Sequence, residues 1–222
     1  MFKKIVLISS IICCLLGYLF TTNKQSIASE ETQNLMIVAH PDDETIFGGH
    51  EILNNHYFIV CLTNGDNPTR KAEFEKMLKE SNNEGIILSY PDKVNGERSN
   101  WSTCIEEMKE TINYYLQLRS WNKIVTHNPN GEYGHNQHIL TNTLVTDKVL
   151  SLNQENMLYY FAPYFKKNEA TPANKTMNKR EENDKKQLAG IYQSQQKTIN
   201  KLSHIFGYEN LIAYTDKDNV FS

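Results

Sequence analysis

An α/β fold, with a mostly parallel sheet covered by helices on both faces, is what this sequence predicts. Two observations carry the prediction. Short, continuous apolar runs recur along the chain, and the segments between them place apolar residues at helical spacing. Unbroken apolar runs mark strands covered on both sides, and strands alternating with helices build a parallel sheet.

The first strand is Leu35-Met36-Ile37-Val38-Ala39. His40-Pro41-Asp42-Asp43-Glu44 follows at once. Proline is tolerated in a helix's first turn and acidic residues suit its positive end, so a short helix is expected over 45–53. Within it Gly48-Gly49 allows close backbone approach. A second strand covers 57–63 and ends in the turn Asn64-Gly65-Asp66. Residues 70–83 read as a helix with Phe74, Met77 and Leu78 on one side, and 85–89 as a third strand. The loop 90–100 is polar. A helix over 102–118 carries Ile105, Met108, Ile112, Tyr115 and Leu116 at helical spacing. A fourth strand, 123–127, leads into the turn Asn128-Pro129-Asn130-Gly131, and a helix runs from His135 to about 150. The fifth strand is 157–161. Residues 166–184 are rich in Lys, Asn and Glu and read as an exposed loop, followed by a last helix over 185–201.

The 222 residues, 39% of them hydrophobic, suffice for one folded domain with a sizeable core. The net charge of -3 comes with no basic block, which speaks against nucleic acid as a partner. The N-terminus stands apart. Lys3 and Lys4 precede an apolar run over 5–20, a polar stretch, and the small-residue site Ser26-Ile27-Ala28. This pattern fits a secretory signal peptide cleaved after Ala28. The run is only slightly shorter than a spanning helix needs, so an N-terminal membrane anchor is the alternative. The chain thus divides into 1–28, signal or anchor, and a domain over 29–222, with a secreted or cell-envelope location expected. Beyond residue 28 only Cys61 and Cys104 remain, too few for a disulfide framework. The sequence leaves the oligomeric state open.

The chemistry-bearing residues cluster beyond two strands. His40 and Asp43 are three apart after the first, and His135 and His138 are three apart after the fourth. One helical turn brings such pairs to one point. Either cluster alone fits a helix cap or a solvated helical face. Both at carboxyl ends of one sheet, where α/β proteins bind ligands, point to a metal. Two imidazoles and one carboxylate leave a position for water, the arrangement of catalytic rather than structural zinc. Asp42, between its neighbours, points elsewhere and is free to act on a proton.

Ala39-His40-Pro41-Asp42-Asp43-Glu44 resembles the signature of the LmbE-like, or PIG-L, family of zinc-dependent N-acetylglucosaminyl deacetylases. Arg70 and Glu73 resemble its Arg-x-x-Glu, Gly134-His135-Asn136-Gln137-His138 its Gly-His-x-x-His, and Tyr192-Gln193-Ser194-Gln195 its late Tyr-x-Ser-Gln. The likeness covers residues 35–195. Asn136-Gln137 stands where the family often has Pro-Asp, which puts any orienting role of that carboxylate in question. The resemblance implies a Rossmann-like three-layer sandwich and hydrolysis of the N-acetyl group of an N-acetylglucosamine-type amino sugar. It implies that His40, Asp43 and His138 bind Zn2+ or another divalent metal. Asp42 is then the general base, and a protonated His135 faces the developing oxyanion. Arg70, Tyr133 and Asn128 are candidates for substrate contact; for Asn128, pairing with backbone is the equal alternative. A non-catalytic carbohydrate-binding relative and a zinc amidase acting on a non-sugar amide are the competing functions.

Overall fold

The computed structural model describes residues 28–221. The expected signal or anchor, with its possible membrane association through 5–20, lies outside the described residues apart from Ala28. The chain divides into residues 1–31 and a unit over Thr32–Ser222, and the unit carries every element below.

Six strands form one sheet: β1 (Asn34–Val38), β2 (Tyr57–Thr63), β3 (Glu84–Tyr90), β4 (Lys123–Thr126), β5 (Leu158–Phe161) and β6 (Leu211–Ala213). Their order is β3-β2-β1-β4-β5-β6. The first five are parallel, and β6 pairs antiparallel with β5. The unbroken apolar runs have the predicted consequence: all seven residues of β2 are buried, as are four of the five in β1. Burial of such side chains contributes about 1.5–3 kcal/mol each, so the central strands hold the fold together.

The main helices are α1 (Asp43–Asn54), α2 (Pro68–Glu80), α3 (Ile105–Leu116), α4 (Asn136–Ser151), α5 (Lys179–Ala189) and α6 (Gln196–Leu202). Pro68 opens α2, and the Asn67 side chain accepts from the Thr69 and Arg70 amides, which places Arg70 in the helix's first turn. α1 lies so close to the sheet that a Cβ at Gly48 would sit 2.9 Å from the Met36 side chain and 3.0 Å from Phe161. No larger residue fits there without a shift.

Two expectations are corrected. The last helix does not run unbroken over 185–201. It begins at Lys179 inside the expected loop, because Asn178 and Glu181 form a capping box, and it stops at Ala189. A turn through Tyr192 then leads into α6. The polar loop 90–100 contains a small hairpin, Lys93–Val94 against Glu97–Arg98, closed by Asn95 and Gly96 at positive φ. The tail after Gly207 supplies the edge strand β6.

Chain order dictates where a site forms. The connection from β1 leads to β2 on one side, and that from β4 leads to β5 on the other. Neighbouring strands β1 and β4 therefore part at their carboxyl ends, and this switch point is where open α/β sheets hold ligands. The loops leaving these strands carry His40-Asp43 and His127-His138.

Candidate metal centre

The two loops are joined directly. The Ala39 amide donates to His127 Nε2 at 3.0 Å, while Ala39 O accepts from the Thr63 amide. Asp42 sits at φ 138, a backbone conformation that side chains rarely adopt. Such strain persists only where surrounding contacts enforce it. Here the Asp42 carbonyl accepts from Thr45 Oγ1 and from the Thr45 and Ile46 amides.

Donor atoms of three side chains converge between the loops. His40 Nδ1 lies 3.1 Å from Asp43 Oδ2 and 3.3 Å from His138 Nε2, and His138 Nε2 lies 3.3 Å from Asp43 Oδ1. Ligands bonded at about 2.0–2.1 Å around a tetrahedral zinc are about 3.3–3.4 Å apart. The triangle therefore fits a zinc-sized ion, and its imidazole and carboxylate donors suit one. Two overlapping sets of metal-competent side chains, His40–His135–His138 and Asp43–His127–His138, hold donor atoms within 4.8 Å. His127 is the least available of them. Its Nε2 faces the Ala39 amide and its Nδ1 faces Glu132 Oε2 at 2.9 Å.

Around the triangle stands a layer of orienting groups. Glu132 Oε2 accepts from His138 Nδ1 at 2.6 Å as well as from His127, and Oε1 accepts from the Asn128 amide at 2.9 Å. Burial alone would raise this carboxyl, but the His127 and His138 rings outweigh it and hold Glu132 down at about 2. A carboxylate behind a ligating imidazole fixes its tautomer and direction. The opposite nitrogen of His40, Nε2, faces Gln137 Oε1 at 2.8 Å and Asp92 Oδ1 at 3.4 Å. Sequence reasoning missed Glu132, Asp92 and Gln137 as orienting groups.

Asp42 is buried, with Oδ1 3.6 Å from the Arg70 guanidinium. Burial and the adjacent Asp43 charge push its carboxyl up to about 7. Arg70 also donates to Pro41 O, and its Nε is buried without a partner. Arg70 thus braces the Asp42 loop. The late motif reaches the same place: Tyr192 Oη donates to the fully buried Glu44 at 2.5 Å, and Glu44 Oε2 accepts from the Asp42 amide. Glu73, the second residue of the Arg-x-x-Glu pair, accepts from the Ser194 amide and hydroxyl at 2.7 and 2.6 Å. Two motifs distant in sequence are therefore one brace.

His135 packs against the triangle, its ring centroid 4.8 Å from that of His40 and 4.3 Å from that of His138. Its Nδ1 is buried and unpartnered. Burial, then the His138 and His40 charges, push it down to about 3. This direction runs against the protonated His135 of the sequence reading. Tyr133 is 40% exposed, its ring 6.0 Å from His135 and 5.8 Å from His138, at the mouth of the centre. Asn128 is fully buried. Its side chain accepts from the Asn130 and Glu132 amides and donates to Ala162 O, the backbone-pairing alternative.

Residues 35–149 match the family PIG-L, described as GlcNAc-PI de-N-acetylase. The chain belongs to the PIG-L family. A PIG-L relative at the sequence level is an uncharacterised protein of Acanthamoeba polyphaga mimivirus, 31% identical over 200 residues that cover 82% of this chain and 80% of that one. Among solved structures, the N,N'-diacetylchitobiose deacetylase of Pyrococcus horikoshii matches with a TM-score of 0.57 and 11% identity, over 86% of this chain and 88% of that one. GalB, the 4-carboxy-2-hydroxymuconate hydratase of Pseudomonas putida KT2440, matches with a TM-score of 0.54 and 14% identity, over 78% and 84%. These two share the α/β fold of this chain. A hydratase and a deacetylase share it, so the reaction has to be argued from the side chains.

Proposed function

We propose that the protein hydrolyses the N-acetyl group of an N-acetylglucosamine-type amino sugar, in a glycan, glycolipid or glycoside, to acetate and a free amine. The observation that carries this reading is the triangle of His40, Asp43 and His138 with the Asp42 carboxyl beside it. Membership of a de-N-acetylase family supports the same reaction.

His40, Asp43 and His138 would hold a divalent ion, which would supply Lewis acidity toward a water and an amide carbonyl. The remaining steps belong to the protein. Asp42 takes the proton from the water whose oxygen bonds to the acetyl carbon, and passes it to the nitrogen as the C–N bond breaks. A base whose pKa lies near the working pH can do both. His135, neutral, faces the oxygen that gains negative charge and stabilises it as a hydrogen-bond donor rather than as a cation. Arg70 restrains the Asp42 loop through Pro41 O and keeps a positive charge near the reacting oxygens.

A sugar is favoured over an apolar amide by the surroundings. A groove of about 540 Å³ beyond the ends of β2 and β3 is lined by Asn64, Asp66, Asn67, Ser89, Asp92 and Lys93 among others. Every one of those side chains can hydrogen-bond to hydroxyl groups, and Asp92 also touches His40. A panel of N-acetylated amino sugars, glycolipids and simple acetamides, scored for acetate release with and without a chelator, tests the proposal. Chelator-sensitive release from sugars supports it. Release confined to non-sugar amides, or none from any metal-loaded sample, refutes it.

A further inference from the structure

We propose that Gln137 is a positioning residue that locks the His40 ring with its proton on Nε2, so that Nδ1 offers its lone pair to the metal. The inference rests on the metal-centre reading above.

Asp43 creates the need. Its Oδ2 lies 3.1 Å from His40 Nδ1, so in the absence of a counterweight the carboxylate favours the tautomer with the proton on Nδ1. That tautomer cannot ligate a metal through Nδ1. The counterweight stands on the far side of the ring, where Gln137 Oε1 accepts from His40 Nε2 at 2.8 Å and the Asp92 carboxylate lies farther off at 3.4 Å.

The direction of the Gln137 amide is dictated by its neighbours. Its Nε2 lies 3.0 Å from Asp92 O, 3.1 Å from Ser99 O and 3.4 Å from Pro91 O. Carbonyl oxygens only accept, so the NH2 group must face them and the amide oxygen must face His40. Gln137 is fully buried, so water offers no substitute partner. The same three carbonyls suit an amide at this position, because a carboxylate would meet only acceptors on that side. The hairpin loop over 91–99 thus aims Gln137, and Gln137 aims His40.

Two variants separate this role from a merely structural one. Gln137→Met removes both the NH2 donors and the acceptor. Gln137→Glu removes the donors but keeps an acceptor for His40. Zn2+ affinity is measured by competition with a chromophoric chelator, and thermal stability is followed in parallel. Loss of an orienting group typically costs about 10–100-fold in metal affinity, the fall expected for Gln137→Met. Gln137→Glu is expected to stay within about threefold of wild type, although both variants lose the donors and hence stability. Equal affinity in wild type and Gln137→Met, or an equal fall in both variants, overturns the proposal. Wild-type protein that binds no Zn2+ overturns the metal-centre reading itself, and the inference with it.

Discussion

Glu132→Gln is the substitution whose consequences the structure defines most fully. The carboxylate has no exposed side-chain surface and accepts three hydrogen bonds, at 2.6 Å from His138 and 2.9 Å from His127 and from the Asn128 amide. An amide of the same shape can keep its oxygen on one edge only. If the oxygen faces the two imidazoles, the new NH2 confronts the Asn128 N–H. If it is flipped, the NH2 confronts both ring nitrogens. Either way at least one bond to a charged acceptor is lost inside the protein, worth about 1.5–3 kcal/mol. For a domain of this size that corresponds to a fall in Tm of about 3–12 °C. Where the NH2 faces the imidazoles, His138 also loses the acceptor that aims its Nε2, and Zn2+ affinity should then drop about 10–100-fold. Calorimetry on the metal-free protein and chelator competition on the metal-loaded protein read the two effects separately. A Tm within about 1 °C of wild type together with unchanged Zn2+ affinity would refute the reasoning, since exposed positions are where such neutrality is ordinary.

Asp42→Asn should lower the acetate-release rate by about 10²–10⁴ while leaving Zn2+ affinity close to wild type, because Asp42 moves a proton and is not a ligand. Wild-type turnover in the purified variant would remove Asp42 from the mechanism. Tyr192→Phe strips the buried Glu44 of its hydroxyl donor and should destabilise the fold by about 1–3 kcal/mol, read as a lower urea midpoint at unchanged slope. Burial lifts Glu44 to about 8 even though Tyr192 donates to it, so the folded metal-free protein keeps a proton that the unfolded chain releases near 4.5. Its stability should therefore fall as pH rises from 4.5 through 8; a Tm that climbs across that window contradicts this assignment.

Much of the scaffold was legible because its signals are local. The runs in β1 and β2 are continuous and apolar, and the structure buries them as such runs require. The loops bearing His40, Asp43, His135 and His138 were legible because residue type, helical spacing and position after a strand coincide. The start of α5 was not, because that helix is mostly polar and buries only Lys185, Leu188 and Ala189; its capping box was the available sign. The Asn95-Gly96 hairpin likewise had a turn signal inside a stretch that reads as polar loop. β6 is three half-buried residues on an edge, too short to show a period. Glu132, Asp92 and Gln137 carry no local pattern. Their roles exist only because β1 and β4 part at the switch point and bring distant loops together. The downward push on the His135 pKa was hidden for the same reason, since it depends on two imidazoles that only the fold places beside it.

X-ray absorption on the zinc-loaded protein tests the central claim most directly. The account predicts one zinc per chain, nitrogen and oxygen ligands at about 2.0–2.1 Å, and scattering from two imidazoles that diminishes to one in His138→Ala. Sulfur in the coordination shell, or imidazole scattering unaltered in His138→Ala, would contradict it.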